Sequence, residues 1–334
     1  MKILTLITSR KYDAGPKAPR DIETILCKEY NLEKDTVYAK KDTFKEKIMF
    51  LLSICKIILK NIGYKDVIFI QYPFTDKSNI ILRLLPTKKT ILIIHDITYL
   101  RLQDNKKLKK EINLLKRYNY IVVHNNKMKE FLQKQGIQKE KMKTLDLFDY
   151  LCNKPENEET RTGNKKIVVY AGNLLKKKSP FLYELDNEKM NFEMNIYGVG
   201  VEEIKNSKIK YKGKYLPDEL PNHLEGNLGL VWDENWDEQD ENERFKNYTK
   251  YNNPHKLSCY IAAELPVVVW KKSAIADFVK ANDIGYIISN IYEINELDLS
   301  DYRKKLNNVK RIRKNVLEGK YMINVIKRIL KELN

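Results

Sequence analysis

The strongest constraint in this sequence is an alternation that runs twice. Short apolar runs of strand length take turns with helical patterns, first over residues 2–125 and again over 166–289. In the first round KILTLIT (2–8), TVYA (36–39), DVIFIQYP (66–73), KTILIIHD (89–96) and YIVVHN (120–125) read as strands, with helical stretches at 21–30, 44–60, 78–85 and 105–117. Such alternation is the pattern of a parallel sheet with helices on both faces. The second round supplies KIVVYAG (166–172), EMNIYG (193–198), NLGLVWD (227–233), PVVVW (266–270) and GYIIS (285–289). Between the rounds, DYLCNKPENEETRTGNK (149–165) is polar, lacks periodicity and carries Pro155 and Gly163. The expected fold is α/β, with a first doubly wound domain at 1–150, a linker at 151–165 and a second domain at 166–315. One long basic amphipathic helix is expected at 301–332. Its end, 316–334, either packs on its own domain, crosses back to the first domain, or lies on a membrane surface.

Charge narrows the partners. The chain has 334 residues, with 62 Lys+Arg against 45 Asp+Glu, a formal +17. That balance favours anionic partners such as nucleic acid, anionic lipid or phosphorylated small molecules; the composition bias of an AT-rich genome explains part of it equally well. No helix-turn-helix, zinc-finger or RNP signature is present, and the basic residues are spread along the chain, so a nucleic-acid partner is not expected. Four cysteines without a Cys-x-x-Cys pair and four histidines argue against a structural zinc site and fit a reducing cytoplasm. The longest apolar region, Ile48 to Leu59, is cut by Ser53 and Lys56 and falls short of the roughly 18 residues of a membrane span. The apolar part of the N-terminus is too short for a signal peptide. The expectation is a soluble cytoplasmic protein, with contact at the inner membrane face left open.

Ligands of open parallel sheets bind beyond the carboxyl ends of the strands. After 166–172, Gly172 allows close backbone approach, Asn173 offers an amide, and Lys176 heads a run of three lysines. After 193–198, YGVGVEE places Tyr197 and Gly198 at a turn, although no full Gly-x-Gly-x-x-Gly or Walker pattern exists. YNNPHKLSCYIAAELPVVV (251–269) is the most pointed stretch. Asn253 reads as an N-cap and Pro254 as the first helical residue, with His255 and Lys256 in the first turn. The free N–H groups of such an end attract anions, and Lys256 adds a full charge. In the first domain, His95 and Asp96 end a strand and are candidates for a base. The loop after the first strand carries Gly15, Lys17 and Arg20.

These motifs together resemble a known family. DAGPKAPRDIETIL (13–26), IIHDITYLR (93–101), YIVVHNNKMKEFL (120–132), YAGNLLKKKSPFL (170–182), NLGLVWD (227–233), YNNPHKLSCYIAAELPVVV (251–269) and SAIADFV (273–279) are similar to bacterial Gtf3-like glucosyltransferases and beta-1,6-galactofuranosyltransferases. The resemblance implies a GT-B architecture, two Rossmann-like domains facing an interdomain cleft. It also implies a UDP-sugar donor, no cofactor, no required metal, and a homo-oligomer, dimer or tetramer. It places Asn173 and Lys176 at the donor and Tyr197 and Gly198 by the nucleotide. Asn252, Asn253, His255 and Lys256 would hold the diphosphate, and Gly15 and Lys17 would sit on a loop closing on donor or acceptor. Two departures stand out: Glu264 where the family has glycine, and Glu234 after Val-Trp-Asp, which opens the acidic loop 233–244.

The expected activity is transfer of a sugar from a UDP donor, UDP-galactofuranose first, to a hydroxyl of a growing bacterial surface glycan, with a lipid-linked acceptor among the options. UDP-glucose with a GlcNAc-modified protein is the alternative, and a catalytically inactive GT-B assembly partner is an alternative of another class. If the reaction inverts, Asp96 or His95 is the base; if it retains, none is needed.

Overall fold

The structure is a computed structural model that describes residues 1–8, 15–39, 43–61, 63–73, 79–153, 161–163, 165–233 and 244–333. Glu234 with most of the acidic loop, and most of the proposed linker, lie outside the described residues. The chain folds as two compact units. The first takes the described residues up to Phe148 together with those from Gly319 onward, and the second runs from Asp149 to Glu318.

The first unit is built on a parallel sheet of six strands in the order β2-β1-β3-β4-β5-β6. These are β1 (Lys2–Thr8), β2 (Glu33–Ala39), β3 (Ile68–Tyr72), β4 (Thr90–Ile94), β5 (Tyr120–Val123) and β6 (Met142–Thr144). β3 and β4 are buried at every position, as strands covered on both faces must be. The helices are α1 (Lys17–Tyr30), α2 (Phe44–Asn61), α3 (Asn79–Leu84), α4 (Thr98–Arg101), α5 (Asn105–Leu115) and α6 (Asn126–Lys134). The second unit repeats the plan in the order β12-β11-β10-β7-β8-β9, all parallel. Its strands are β7 (Ile167–Asn173), β8 (Glu193–Val199), β9 (Ile209–Tyr211), β10 (Leu228–Val231), β11 (Val267–Trp270) and β12 (Gly285–Ile288). Its helices are α7 (Phe181–Glu184), α8 (Arg244–Thr249), α9 (His255–Ala262), α10 (Ala276–Asn282) and α11 (Tyr302–Leu317), and α12 (Lys320–Leu333) belongs to the first unit.

Three sequence expectations change. β2 is longer than TVYA and pairs with β1 over seven residues, because Glu33–Asp35, polar in sequence, pair as backbone at the edge of the sheet. β6 and β9, three residues each, are too short for a periodic signal. The single C-terminal helix is two helices, broken at Gly319 with φ +73°. A side chain at that position would also meet Ile25 Cγ1 at 2.7 Å. The apolar faces of both helices are buried, with Val309, Val316, Met322, Val325 and Ile329 fully enclosed. This overturns the C-terminal helix as a membrane-facing surface.

Glu264 also gains a physical account. It adopts φ +57° just past α9, a conformation that costs a residue with a side chain about 1 kcal/mol. Its carboxylate lies 3.3 Å from both Lys310 Nζ and Arg313 Nη1 on α11. Arg313 Nε donates to the Ala262 carbonyl at 2.8 Å, one of the acceptors that a helix end leaves open. The carboxylate thus holds in place the group that caps α9, which offsets the backbone strain.

His124 follows β5, is buried, and lies 3.0 Å through Nε2 from the Ile94 carbonyl. A carbonyl only accepts, so Nε2 carries the proton. Burial pulls its pKa down to about 4, with the carbonyl contacts only partly offsetting it. Between its ordinary pKa of 6.5 and about 4, the unfolded chain takes up a proton that the native one does not. Stability is therefore whole above 6.5 and is lost as pH falls toward 4, by about 3 kcal/mol in all. Urea midpoints measured from pH 7 to pH 4 are expected to fall less steeply in His124→Gln than in the parent; equal slopes would refute this.

Candidate functional site

The second sheet has a topological switch point between β7 and β10, because the chain winds outward from there in both directions. The carboxyl ends of those two strands are where Lys256, in the first turn of α9, directs its side chain. Its Nζ donates to Tyr170 Oη of β7 at 3.0 Å, to the Trp232 carbonyl at 3.0 Å and to Asp233 Oδ1 at 2.8 Å. An ammonium has three protons, so these bonds use its whole donor capacity. Burial, the largest single influence, lowers its pKa, but the Asp233 carboxylate together with Tyr170 and Tyr260 outweighs it and holds the ammonium above the ordinary lysine range. Gly172 makes room for it, since a Cβ there would lie 3.1 Å from Lys256 Cε. Tyr170 Oη continues to Ser179 Oγ at 2.7 Å, and Ser179 Oγ donates to the Asn173 carbonyl at 2.8 Å. Tyr260, one turn further along α9, accepts from Ala171 N at 2.8 Å.

The expected charge on the helix end is thus corrected in one respect. Lys256 stands at that end, but its charge is shared with Asp233, a partner missed at the sequence level. The helix start differs too. Pro254, not Asn253, is the N-cap, in an extended conformation (φ −62°, ψ 132°), and the helix proper begins at His255. Proline's fixed φ suits either position, so the sequence pattern does not separate them. No side chain caps this helix start. Asn253 is turned inward and buried. Asn252 Oδ1 is a buried acceptor with no hydrogen-bond partner among the described residues. An acceptor left this way is costly and is satisfied by a hydroxyl or amide donor, not by a phosphate oxygen. His255 stacks on Tyr150 at 4.8 Å, and its Nε2 lies 3.3 Å from the Asp149 carbonyl.

Other candidates fall in different places. Asn173 is exposed at the end of β7, and its Oδ1 accepts from Leu175 N at 3.1 Å in a local turn. Lys176 is exposed, its backbone N–H bonded to Glu202 Oε1 at 3.0 Å. Tyr197 is a correction: it is 1% exposed, and its hydroxyl accepts from Glu225 N at 2.8 Å, so it is a core residue with no face for a base. Tyr215 was missed. It stacks on the exposed His223 at 3.9 Å just beyond β9, and only its place after a strand could have marked it. Gly198 serves packing: at φ +141°, a Cβ would stand 1.8 Å from the Gly172 carbonyl oxygen.

In the first unit the switch point lies between β1 and β3. Gln71, the lone amide in IFIQY, sits there and was also missed. Its Nε2 donates to Thr5 Oγ1 at 2.9 Å and to the Pro19 carbonyl at 2.8 Å. Its Oε1 lies 2.6 Å from His95 Nε2, which therefore carries the ring proton. Asp96 pairs with Arg101 Nη1 at 2.6 Å. Beneath them, Glu111 accepts from Tyr72 Oη (2.6 Å), Thr98 N (3.0 Å) and Tyr99 N (2.9 Å), and burial holds its pKa above the usual carboxylate range. Lys17 is corrected: it opens α1, buried, with Nζ 2.6 Å from Asp21, and is not on a loop. Gly15 is exposed just before it.

Two parallel six-stranded sheets, each with a switch point, form the fold of the GT-B glycosyltransferases. Anabaena HepE in complex with UDP-glucose matches all of this chain and 99% of its own, with a TM-score of 0.59 at 13% identity. The family models for the Glucosyltransferase 3-like N-terminal and C-terminal domains match residues 1–147 and 168–329. The chain belongs to this Glucosyltransferase 3-like family and is a glycosyltransferase. It is 30% identical to the Escherichia coli beta-1,6-galactofuranosyltransferase WbbI, covering 100% of this chain and 99% of that one. Glucosyltransferase 3 of Streptococcus gordonii is 24% identical over 80% of each chain.

Proposed function

We propose that the protein transfers galactofuranose from a UDP donor to a hydroxyl of a growing bacterial surface glycan. The observation that carries this is the end-to-end 30% identity to a protein named beta-1,6-galactofuranosyltransferase. The geometry supports a nucleoside diphosphate sugar as donor. The start of α9 carries about half a positive charge. Beside it, Lys256 holds its ammonium protonated, and Asn252 Oδ1 lacks a donor that a sugar or ribose hydroxyl would supply. In the step, the acceptor oxygen forms a bond to the anomeric carbon as the bond to the diphosphate oxygen breaks. The electron pair leaves with UDP, whose charge falls at the helix end, in the role a metal plays elsewhere. Because Lys256 has no spare proton, the diphosphate must take the place of one of its present acceptors.

If configuration inverts, His95 and Asp96 are the candidates for the acceptor's proton. His95 has Nε2–H oriented by Gln71, which leaves Nδ1 as its basic nitrogen. The four cysteines are free thiols, which agrees with a cytoplasmic site of action. A donor screen tests the reading. Purified full-length chain is incubated with UDP-galactofuranose and with UDP-glucose, each with and without EDTA, and UDP release is followed. Turnover of UDP-galactofuranose undiminished by EDTA is expected. Turnover of UDP-glucose alone would move the protein to the glucosyltransferase reading, and UDP binding with no turnover of any donor would make it an inactive assembly partner. Light scattering on the same sample reads the homo-oligomer that this reading includes.

A further inference from the structure

Helix α2 carries an apolar face that no described residue of its own unit covers. Phe44, Ile48, Leu51, Leu52 and Leu59 are all exposed, Phe44 by 79% and Leu59 by 73%. At about 100° per residue they fall with Cys55 on one arc of about 100°. Ile54, Ile57 and Asn61, on the opposite side, are buried and anchor the helix to its sheet. A stripe of solvent-facing leucine, isoleucine and phenylalanine running along about four and a half turns is not the scattered apolar surface common to soluble proteins.

The charges around the stripe point to what covers it. α2 contains four lysines and one acid. Lys45 and Lys56 are exposed and fall at one edge of the arc. Lys60, further round, pairs with Glu33 and Asp35 of β2. The acid, Glu46, is turned back on the helix start: it accepts from Thr43 N at 3.0 Å while its own N–H donates to Thr43 Oγ1 at 3.2 Å. The helix therefore offers a partner an apolar strip with a cationic rim and no free carboxylate. A second copy of the same face would set lysines against an equally basic rim. An anionic lipid surface matches both features at once, the acyl region taking the apolar side chains and the head groups taking the ammonium groups. No helix among the described residues is long and apolar enough to cross a membrane, so α2 would lie in the interface.

We propose that α2 is the membrane-docking surface of this protein and binds anionic phospholipid through Phe44, Ile48, Leu51, Leu52 and Leu59, with Lys45 and Lys56 at the head-group level. This does not depend on which sugar is transferred. Flotation of the full chain with phosphatidylglycerol–phosphatidylcholine vesicles, against phosphatidylcholine alone, tests it. The parent is expected to float with the anionic vesicles and to release as salt rises. Leu52→Glu with Leu59→Glu is expected to lower the partition at least tenfold, with an unchanged melting temperature because both residues are exposed. Lys45→Gln with Lys56→Gln is expected to lower it about fivefold per lysine, and this pair carries the test should the glutamate pair fail to fold. Absence of flotation with anionic vesicles overturns the proposal. So does flotation unchanged in both variants, or a parent oligomer that Leu52→Glu with Leu59→Glu dissociates, which would show that a second copy covers the stripe.

Discussion

Lys256→Met is expected to lower UDP affinity by about ten- to hundredfold, the range for losing a charged hydrogen bond to the ligand, and to lower folding stability by about 2–3 kcal/mol. The second figure comes from Asp233. Its carboxylate is 28% exposed and would be left without its cation; a fully buried orphan costs more, and solvent reduces the penalty here. Asp233→Asn separates the two roles of the lysine. An asparagine oxygen still accepts from Nζ but no longer neutralises it, so UDP is expected to bind about fivefold more tightly, from roughly 1 kcal/mol of unscreened attraction. In the double variant Asp233→Asn/Lys256→Met, part of the lost stability is expected to return while the affinity does not. Calorimetric titration with UDP and urea unfolding of the parent and the three variants read all of these effects. A folded Lys256→Met protein with parental UDP affinity would reduce Lys256 to a brace between β7, β10 and α9.

Gly198→Ala is expected to cost about 4 kcal/mol or more, the range reserved for backbone conflict in a core. The new Cβ would stand 1.8 Å from the Gly172 carbonyl oxygen, at a φ of +141° that residues with side chains rarely adopt. Neither obstacle yields without parting the carboxyl ends of β7 and β8. Gly172→Ala makes the informative contrast. Its Cβ would stand 3.1 Å from Lys256 Cε, part of a flexible chain, with Lys256 Nζ and Tyr170 Oη at ordinary contact distances of 3.6 and 3.8 Å. A loss of about 1 kcal/mol or less is expected there, with UDP affinity reduced because the ammonium is displaced. Urea midpoints rank the two; a Gly198→Ala midpoint equal to the parent's would refute the argument.

The sheets were legible because their strands are apolar on both faces, and runs such as IFIQY and TILII have few other homes. The double round and the polar stretch near residue 150 already marked a two-part chain. Elements that depend on contact and not on pattern were not legible. β6 and β9 exist because a neighbouring strand offers them partners. The break between α11 and α12 depends on Ile25, nearly 300 residues away, pressing on Gly319. The site shows the same limit. PHK announced an anion-friendly helix start, but Asp233 and Tyr170 as partners of Lys256 are facts of two strands and a helix meeting. Glu264 was visible as an anomaly; its remedy, Arg313, was not, because nothing in sequence links the end of α9 to the middle of α11. Gln71 could have been suspected, since an amide within a fully apolar strand needs partners inside the fold.

The placement of α12 bears on how the molecule is made. The first unit holds the described residues up to Phe148 and those from Gly319 onward, and α12 is tied in by Lys327 to Glu29 at 2.9 Å, Lys143 to Glu332 at 2.6 Å and Arg328 to the Thr144 carbonyl at 3.1 Å. A ribosome therefore synthesises the whole second unit before it makes the first unit's final helix. During that interval α1 exposes the surface around Ile25 that Gly319 and α12 later cover. The first unit to be synthesised is the last to be finished.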